Sequence, residues 1–271
     1  MKRFSILFLT LSTYLLMSCG EEVQQRTYNY EKADSLSADY LQELGSVRVN
    51  IEQSSKLYAL MTEKGYSFDN TLVISPGKSY STSKQQALGL GMYGADLSYS
   101  TIFGQTQGAT EYMKSIVQLS EKMGIPEAFD QELLGKLTSD DSTINKSILL
   151  TKAYIKATDQ LYSEDRAKLV VMMVAGGWIQ GLSISSNAAL KKGSADSEII
   201  MGIYDQVYSF ENTYKMLEVF KDDKDVSDVY QKIHEVKPQF DRLIHSKGRL
   251  TESHLQEIVE LTKSLKSQLV S

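Results

Sequence analysis

Ala87-Leu88-Gly89-Leu90-Gly91-Met92-Tyr93-Gly94-Ala95-Asp96-Leu97-Ser98-Tyr99-Ser100 and Ala175-Gly176-Gly177-Trp178-Ile179-Gln180-Gly181-Leu182-Ser183-Ile184-Ser185 decide the fold. From Gln85 to Thr110 the only charged residue is Asp96, and from Leu169 to Leu190 there is none, in a chain that is 23% charged. At about 100° per residue, Leu88, Met92, Ala95 and Tyr99 share one helical face, while Leu90 and Leu97 project from the other side. A helix that is apolar on opposite sides belongs inside a bundle. Each stretch also carries a row of small residues spaced by four: Ala87, Gly91 and Ala95 in the first, Gly177, Gly181 and Ser185 in the second. Glycine within a helix costs about 1 kcal/mol relative to alanine, so close packing must offset it. The two helices are expected to cross at the centre through these small faces. A membrane span over 169–190 is the competing reading. However, only 169–179 is continuously apolar, and Gln180, Ser183, Ser185, Ser186 and Asn187 follow, which favours a buried bundle helix.

Outward from these two, apolar residues recur at three- and four-residue steps along most of the chain. Leu41, Leu44, Val47, Ile51, Leu57, Leu60 and Met61 predict a helix over about 33–64, which Gly65 ends. Pro76-Gly77 marks a turn. Further helices are expected at about 82–103, 106–123, 126–137, 142–162, 165–190, 197–221, 227–247 and 251–269. Pro238 should end or kink the helix it interrupts, unless it opens a new one. The chain reads as all-α, a single bundle of eight or nine helices over residues 33–271. Short connections favour antiparallel neighbours.

The beginning of the chain places it. Lys2-Arg3 precede an apolar run from Phe4 to Met17, and Leu16-Met17-Ser18-Cys19 closes it. A basic start, a short apolar core and a small residue before the cut make a secretory signal peptide over 1–18. Cys19 is the only cysteine, so no internal disulfide is available. The run resembles the lipobox of bacterial lipoproteins, in which the cysteine is lipidated and becomes the first mature residue. The implied partner of Cys19 is a membrane, and more than one acyl chain suffices for stable anchoring. Residues 19–32 read as a polar, flexible tether. Glu21-Glu22 resemble surface-export signals of Bacteroidota lipoproteins, and equally fit a solvated tether. The expected location is the outer membrane, on the periplasmic face or the cell surface. The stretches 91–99 and 176–182 are similar to motifs of α-helical Bacteroidota lipoproteins that have no assigned function. That resemblance implies an envelope location and a helical fold, and it brings no activity or site residue.

The chain has 29 basic and 34 acidic side chains, a formal charge of −5, and loss of Lys2 and Arg3 with the leader makes it more acidic. That argues against nucleic acid or anionic lipid as the main partner. Asp96 is the best single candidate for chemistry, because a carboxylate in a nearly uncharged helix needs a partner or a raised pKa. Tyr93, Tyr99 and Trp178 join it as a candidate ligand pocket. The wider aromatic set, with Tyr66, Tyr80 and Tyr112, reads mainly as core. Asp241 and His245 have the i, i+4 spacing of metal ligands, with His234 beyond Pro238, but ordinary surface polar residues account for them and no metal is assigned. Gly89, Gly91 and Gly94 fit the letters of a dinucleotide fingerprint without the preceding strand, so packing explains them better. No nucleophile motif is present, no catalytic residue is assigned and no cofactor is implied. The sequence points to a non-catalytic binding or scaffold role toward an unidentified protein or small molecule. An enzyme with an acid-based site around Asp96, or a carrier of an apolar ligand, is the alternative.

Overall fold

The computed structural model describes residues 30–139, 141, 144–193 and 196–270. The leader, Cys19 and Glu21-Glu22 lie outside the described residues. Among those described, the chain forms ten α-helical segments, one 3-10 turn and no strand: α1 (Tyr30–Glu63), α2 (Ser83–Ile102), α3 (Thr106–Lys122), the 3-10 turn Pro126–Phe129, α4 (Gln131–Thr138), α5 (Lys146–Ser163), α6 (Ala167–Lys192), α7 (Ser197–Tyr208), α8 (Phe210–Val219), α9 (Ser227–His245) and α10 (Glu252–Leu269). The helices fall where the periodicity places them, and α1 begins at Tyr30, inside the segment read as tether.

Local chemistry sets the boundaries. Thr82 opens α2 with a capping box, its hydroxyl accepting from the Gln85 N–H. Asn145 caps α5 by accepting from the Ile148 N–H. The 197–221 pattern divides at Ser209, whose hydroxyl donates back to the Asp205 carbonyl at 3.1 Å, a bond that bends helices. The bend brings Phe210 onto Phe240, with rings 4.5 Å apart and 4° from parallel. Pro238 lies inside α9. Val229 and Ile233 before it and Phe240 and Leu243 after it are all buried, so packing carries the helix across the missing hydrogen bond.

α6 is the axis of the molecule. It packs against α1, α2, α5, α7, α8 and α10. It is also the one helix among the described residues long and apolar enough to cross a membrane, and 94% of its most apolar window is buried in the bundle. α2 lies directly on it, and every residue of α2 from Ala87 to Ser100 is buried. Both helices are uncharged on most sides because other helices cover them on most sides.

The backbones of α2 and α6 touch. A Cβ on Gly91 would lie 1.9 Å from the Met173 carbonyl oxygen, and one on Gly176 would lie 2.1 Å from that of Leu88. Gly91 therefore meets Gly177 and Met173 as the small rows predict, and Gly176 joins them. Gly181 and Ser185 turn elsewhere. Gly181 faces α1, where a Cβ would lie 2.9 Å from the Ser54 hydroxyl, and the Ser185 hydroxyl bonds the Gln206 side chain of α7 at 2.7 Å.

Gly176→Ala must push the two backbones apart, a cost of about 3 kcal/mol, or a melting temperature lower by about 6–12 °C for a chain of this size. Gly135→Ala, in α4 with nothing within 4 Å of the added carbon, should leave it unchanged or slightly raised. Calorimetry of both variants measures the difference; equal melting temperatures would exclude the close crossing.

Candidate functional site

Between α1 and α2 the chain runs from residue 64 to 82 without regular structure, as a strap across α2. Such a segment has no ladder to satisfy its backbone, so side chains must do so. Helices α2, α3 and α6 supply them. Asp96 Oδ2 accepts from the Ile74 N–H at 3.2 Å. Gln180 Nε2 donates to the Leu72 carbonyl at 3.1 Å and to Asp96 Oδ1 at 2.6 Å. The Tyr99 hydroxyl accepts from the Asp69 N–H at 3.1 Å, the Tyr112 hydroxyl donates to the Ile74 carbonyl at 2.8 Å, and Ser115 Oγ accepts from the Gly77 N–H at 2.9 Å. At the rim, Lys191 reaches Asp69 at 2.5 Å and Thr71 at 2.8 Å.

Asp96 and Gln180 are both fully buried. The network continues to α10, where Lys266 Nζ donates to Gln180 Oε1 at 3.1 Å and to the Ser183 hydroxyl at 2.7 Å. The cation on one side and the carboxyl on the other fix which way the Gln180 amide faces. Burial pushes the Asp96 carboxyl up to about 8, against the opposing pull of the Gln180 amide, the Ile74 N–H and the Lys266 ammonium. Burial also lowers Lys266, and Asp96 pulls it the other way.

Of the four residues read as a candidate pocket, the structure brings Asp96, Tyr93 and Tyr99 under the strap. The Tyr93 hydroxyl points to the Ser75 carbonyl at 3.4 Å, and Tyr99 packs edge-on against Tyr58 with ring centroids 5.2 Å apart. Trp178 faces the other side of α6. Its Nε1 donates to the Gln206 carbonyl at 2.8 Å, and its ring packs on Phe210 and Phe240. Beside the helix crossing lies an apolar cavity of about 40 Å³ lined by Gly91, Gly94, Ala95, Tyr154 and Gly177 among others, room for a water-sized group. Asp96 lines neither it nor the larger cavities.

Of the larger cavities, one of about 750 Å³ lies away from the strap, among α1, α2 and the start of α5, and two lie along the strap. One, of about 650 Å³, is bounded by Tyr66, Phe68, Asp69, Asn70, Gln105, Lys191 and Lys192 among others. Another, of about 300 Å³, shares Phe68, Asn70 and Gln105 with it and adds Ser75, Ser100, Gly108, Glu111 and Tyr112. Of this lining, the sequence singles out only Tyr66 and Tyr112, as aromatics. The polar residues carried no periodic signal. The three histidines form no metal site: His234 Nδ1 bonds the Tyr214 hydroxyl at 2.7 Å, His245 Nδ1 contacts its own helix at the Asp241 carbonyl, and no cluster of three ligands occurs among the described residues. Comparison with known protein families, curated proteins and solved structures finds no match to this chain.

The pH response of Asp96 follows from its raised pKa. The folded carboxyl holds its proton from about pH 4, where the unfolded one loses it, up to about 8. The folded state therefore binds more protons over that window, and stability falls as pH rises through it and levels above about 8. Urea midpoints of the parent should decline between pH 5 and 8 more steeply than those of Asp96→Asn. Parallel profiles would show that Asp96 titrates normally.

Proposed function

We propose that this chain is a lipid-anchored envelope protein whose helical domain binds a partner and performs no chemistry of its own. The lipobox-like Leu16-Met17-Ser18-Cys19 supports the anchor, placing the single cysteine at the point of lipidation, and the resemblance to helical envelope lipoproteins agrees with it. The observation that carries the binding role is the use made of Asp96. Its two oxygens accept from the Ile74 N–H and the Gln180 amide within a fully buried setting, so the carboxyl ties the strap and α6 to α2 and lines none of the cavities. An acid that served a substrate would need reach to one. The strap it holds forms walls of open, polar-lined cavities of a size that suits small ligands. A carrier of apolar molecules would need an apolar cavity between α2 and α6 far larger than about 40 Å³.

Fractionating cells that express the full chain tests the anchor. The parent should sediment with membranes and require detergent for release, and Cys19→Ser should appear in the soluble fraction. A parent that is soluble without detergent would contradict the proposal.

A further inference from the structure

The 300 Å³ cavity at the strap has a lining that selects its occupant. At one end is the first turn of α3, whose N-cap, Gln105, makes no side-chain capping bond. The Thr106 N–H donates to the Gly104 carbonyl at 3.1 Å, and those of Gln107 and Gly108 are left without a capping acceptor. This is the positive end of the helix dipole. Gly108, in the same turn, adds no side chain. A Cβ there would stand 3.8 Å from Gln105 Cβ and 3.9 Å from the Ser100 hydroxyl, so an added carbon would fit in ordinary contact with both. Ser100 comes from α2 and is fully buried, yet its hydroxyl has no hydrogen-bond partner. A buried, unsatisfied hydroxyl costs about 1–3 kcal/mol, which a ligand hydroxyl would relieve.

Charge narrows the choice further. Glu111 is the one charged residue lining this cavity, and it opposes an anion. The uncapped helix terminus opposes a cation. The amide of Asn70 and the hydroxyls of Ser75 and Ser100 make the lining too polar for a hydrocarbon. What satisfies a carboxylate acceptor, helix N–H donors and hydroxyls together is a neutral molecule bearing many hydroxyls, each both donor and acceptor. Phe68 and Tyr112 give it apolar surface to pack on. Phe68 is held from behind by Tyr99, with stacked rings 5.0 Å apart, and Tyr112 by its bond to the Ile74 carbonyl. The shared residues Phe68, Asn70 and Gln105 set this cavity beside the 650 Å³ bowl, where Lys191 pairs with Asp69 and Lys192 bonds the Gly65 carbonyl and where a second unpartnered hydroxyl, that of Tyr66, lies.

We infer that the cleft formed by the strap and the start of α3 binds a neutral saccharide, with one sugar ring in the inner cavity and the chain continuing into the bowl. The inference rests on the binding role proposed above and names its ligand class.

The test presents an array of neutral, anionic and amino-bearing glycans to the full-length protein in mild detergent, followed by titration of the best neutral glycan. Binding should favour neutral glycans. Gly108→Leu fills the inner cavity from a helical position that tolerates a side chain. It should weaken binding at least about tenfold while leaving the melting temperature within about 3 °C of the parent. Ser100→Ala should act in opposite directions on the two readouts, weakening the glycan about fivefold and holding or raising the melting temperature of the free protein. A merely structural serine would not separate them. No binding on the array, a preference for charged glycans, or a Gly108→Leu variant that binds like the parent would overturn the saccharide site. A glycan recovered cleaved would support the site and overturn the non-catalytic reading instead.

Discussion

Contact between the backbones of α2 and α6 is the constraint on which the molecule depends. It exists because Gly91, Gly176 and Gly177 withhold their side chains where the helices meet. The propensity lost at each glycine, about 1 kcal/mol, is offset by dispersion contacts between surfaces at interior density. Once two helices lie this close, other helices can surround both, and charge becomes expensive along them. The absence of charge from Leu169 to Leu190 is a consequence of being enclosed on most sides.

Enclosure gives the polar residues of these helices a task toward the strap. The strap over 64–82 has backbone groups that no helix or sheet satisfies, and the polar side chains among the apolar ones reach them: Asp96 for the Ile74 N–H, Gln180 for the Leu72 carbonyl, and Tyr99 for the Asp69 N–H. Lys266 of α10 ties the same amide to the last helix of the chain. An irregular segment held this way is rigid without being regular, and it can present residues such as Phe68 and Asn70 at fixed positions on its outer side. Function on a loop positioned by a rigid scaffold is the usual arrangement in proteins. Here the scaffold's fixing points are buried polar residues in otherwise apolar helices.

The all-α class, most helix boundaries and the central crossing were legible in the sequence, because periodicity and missing charge are averaged over many residues. Asp96 stood out for the same reason, as a lone charge in a long uncharged run. Its partners did not. Gln180 is one polar residue on a helix with several serines, and nothing in its spacing says that it reaches α2. Trp178 was grouped with Asp96 because both sit in uncharged helices, but two residues of helix, about 200°, separate it from Gln180, and it faces Gln206 and Phe210 instead. The cleft was hardest to foresee. It joins the strap to the start of α3 through residues such as Asn70, Gln105 and Glu111, and such scattered polar residues look like any solvated surface until the fold brings them together.

Amide hydrogen exchange over residues 70–78, measured on the full-length protein, tests most directly that buried side chains hold the strap. The account predicts that the Ile74 and Gly77 amides, which donate to Asp96 and Ser115, are protected nearly as well as amides inside α2, and that Asp96→Ala removes the protection at Ile74 first. Exchange at Ile74 as fast as in an exposed loop of the parent protein would contradict it.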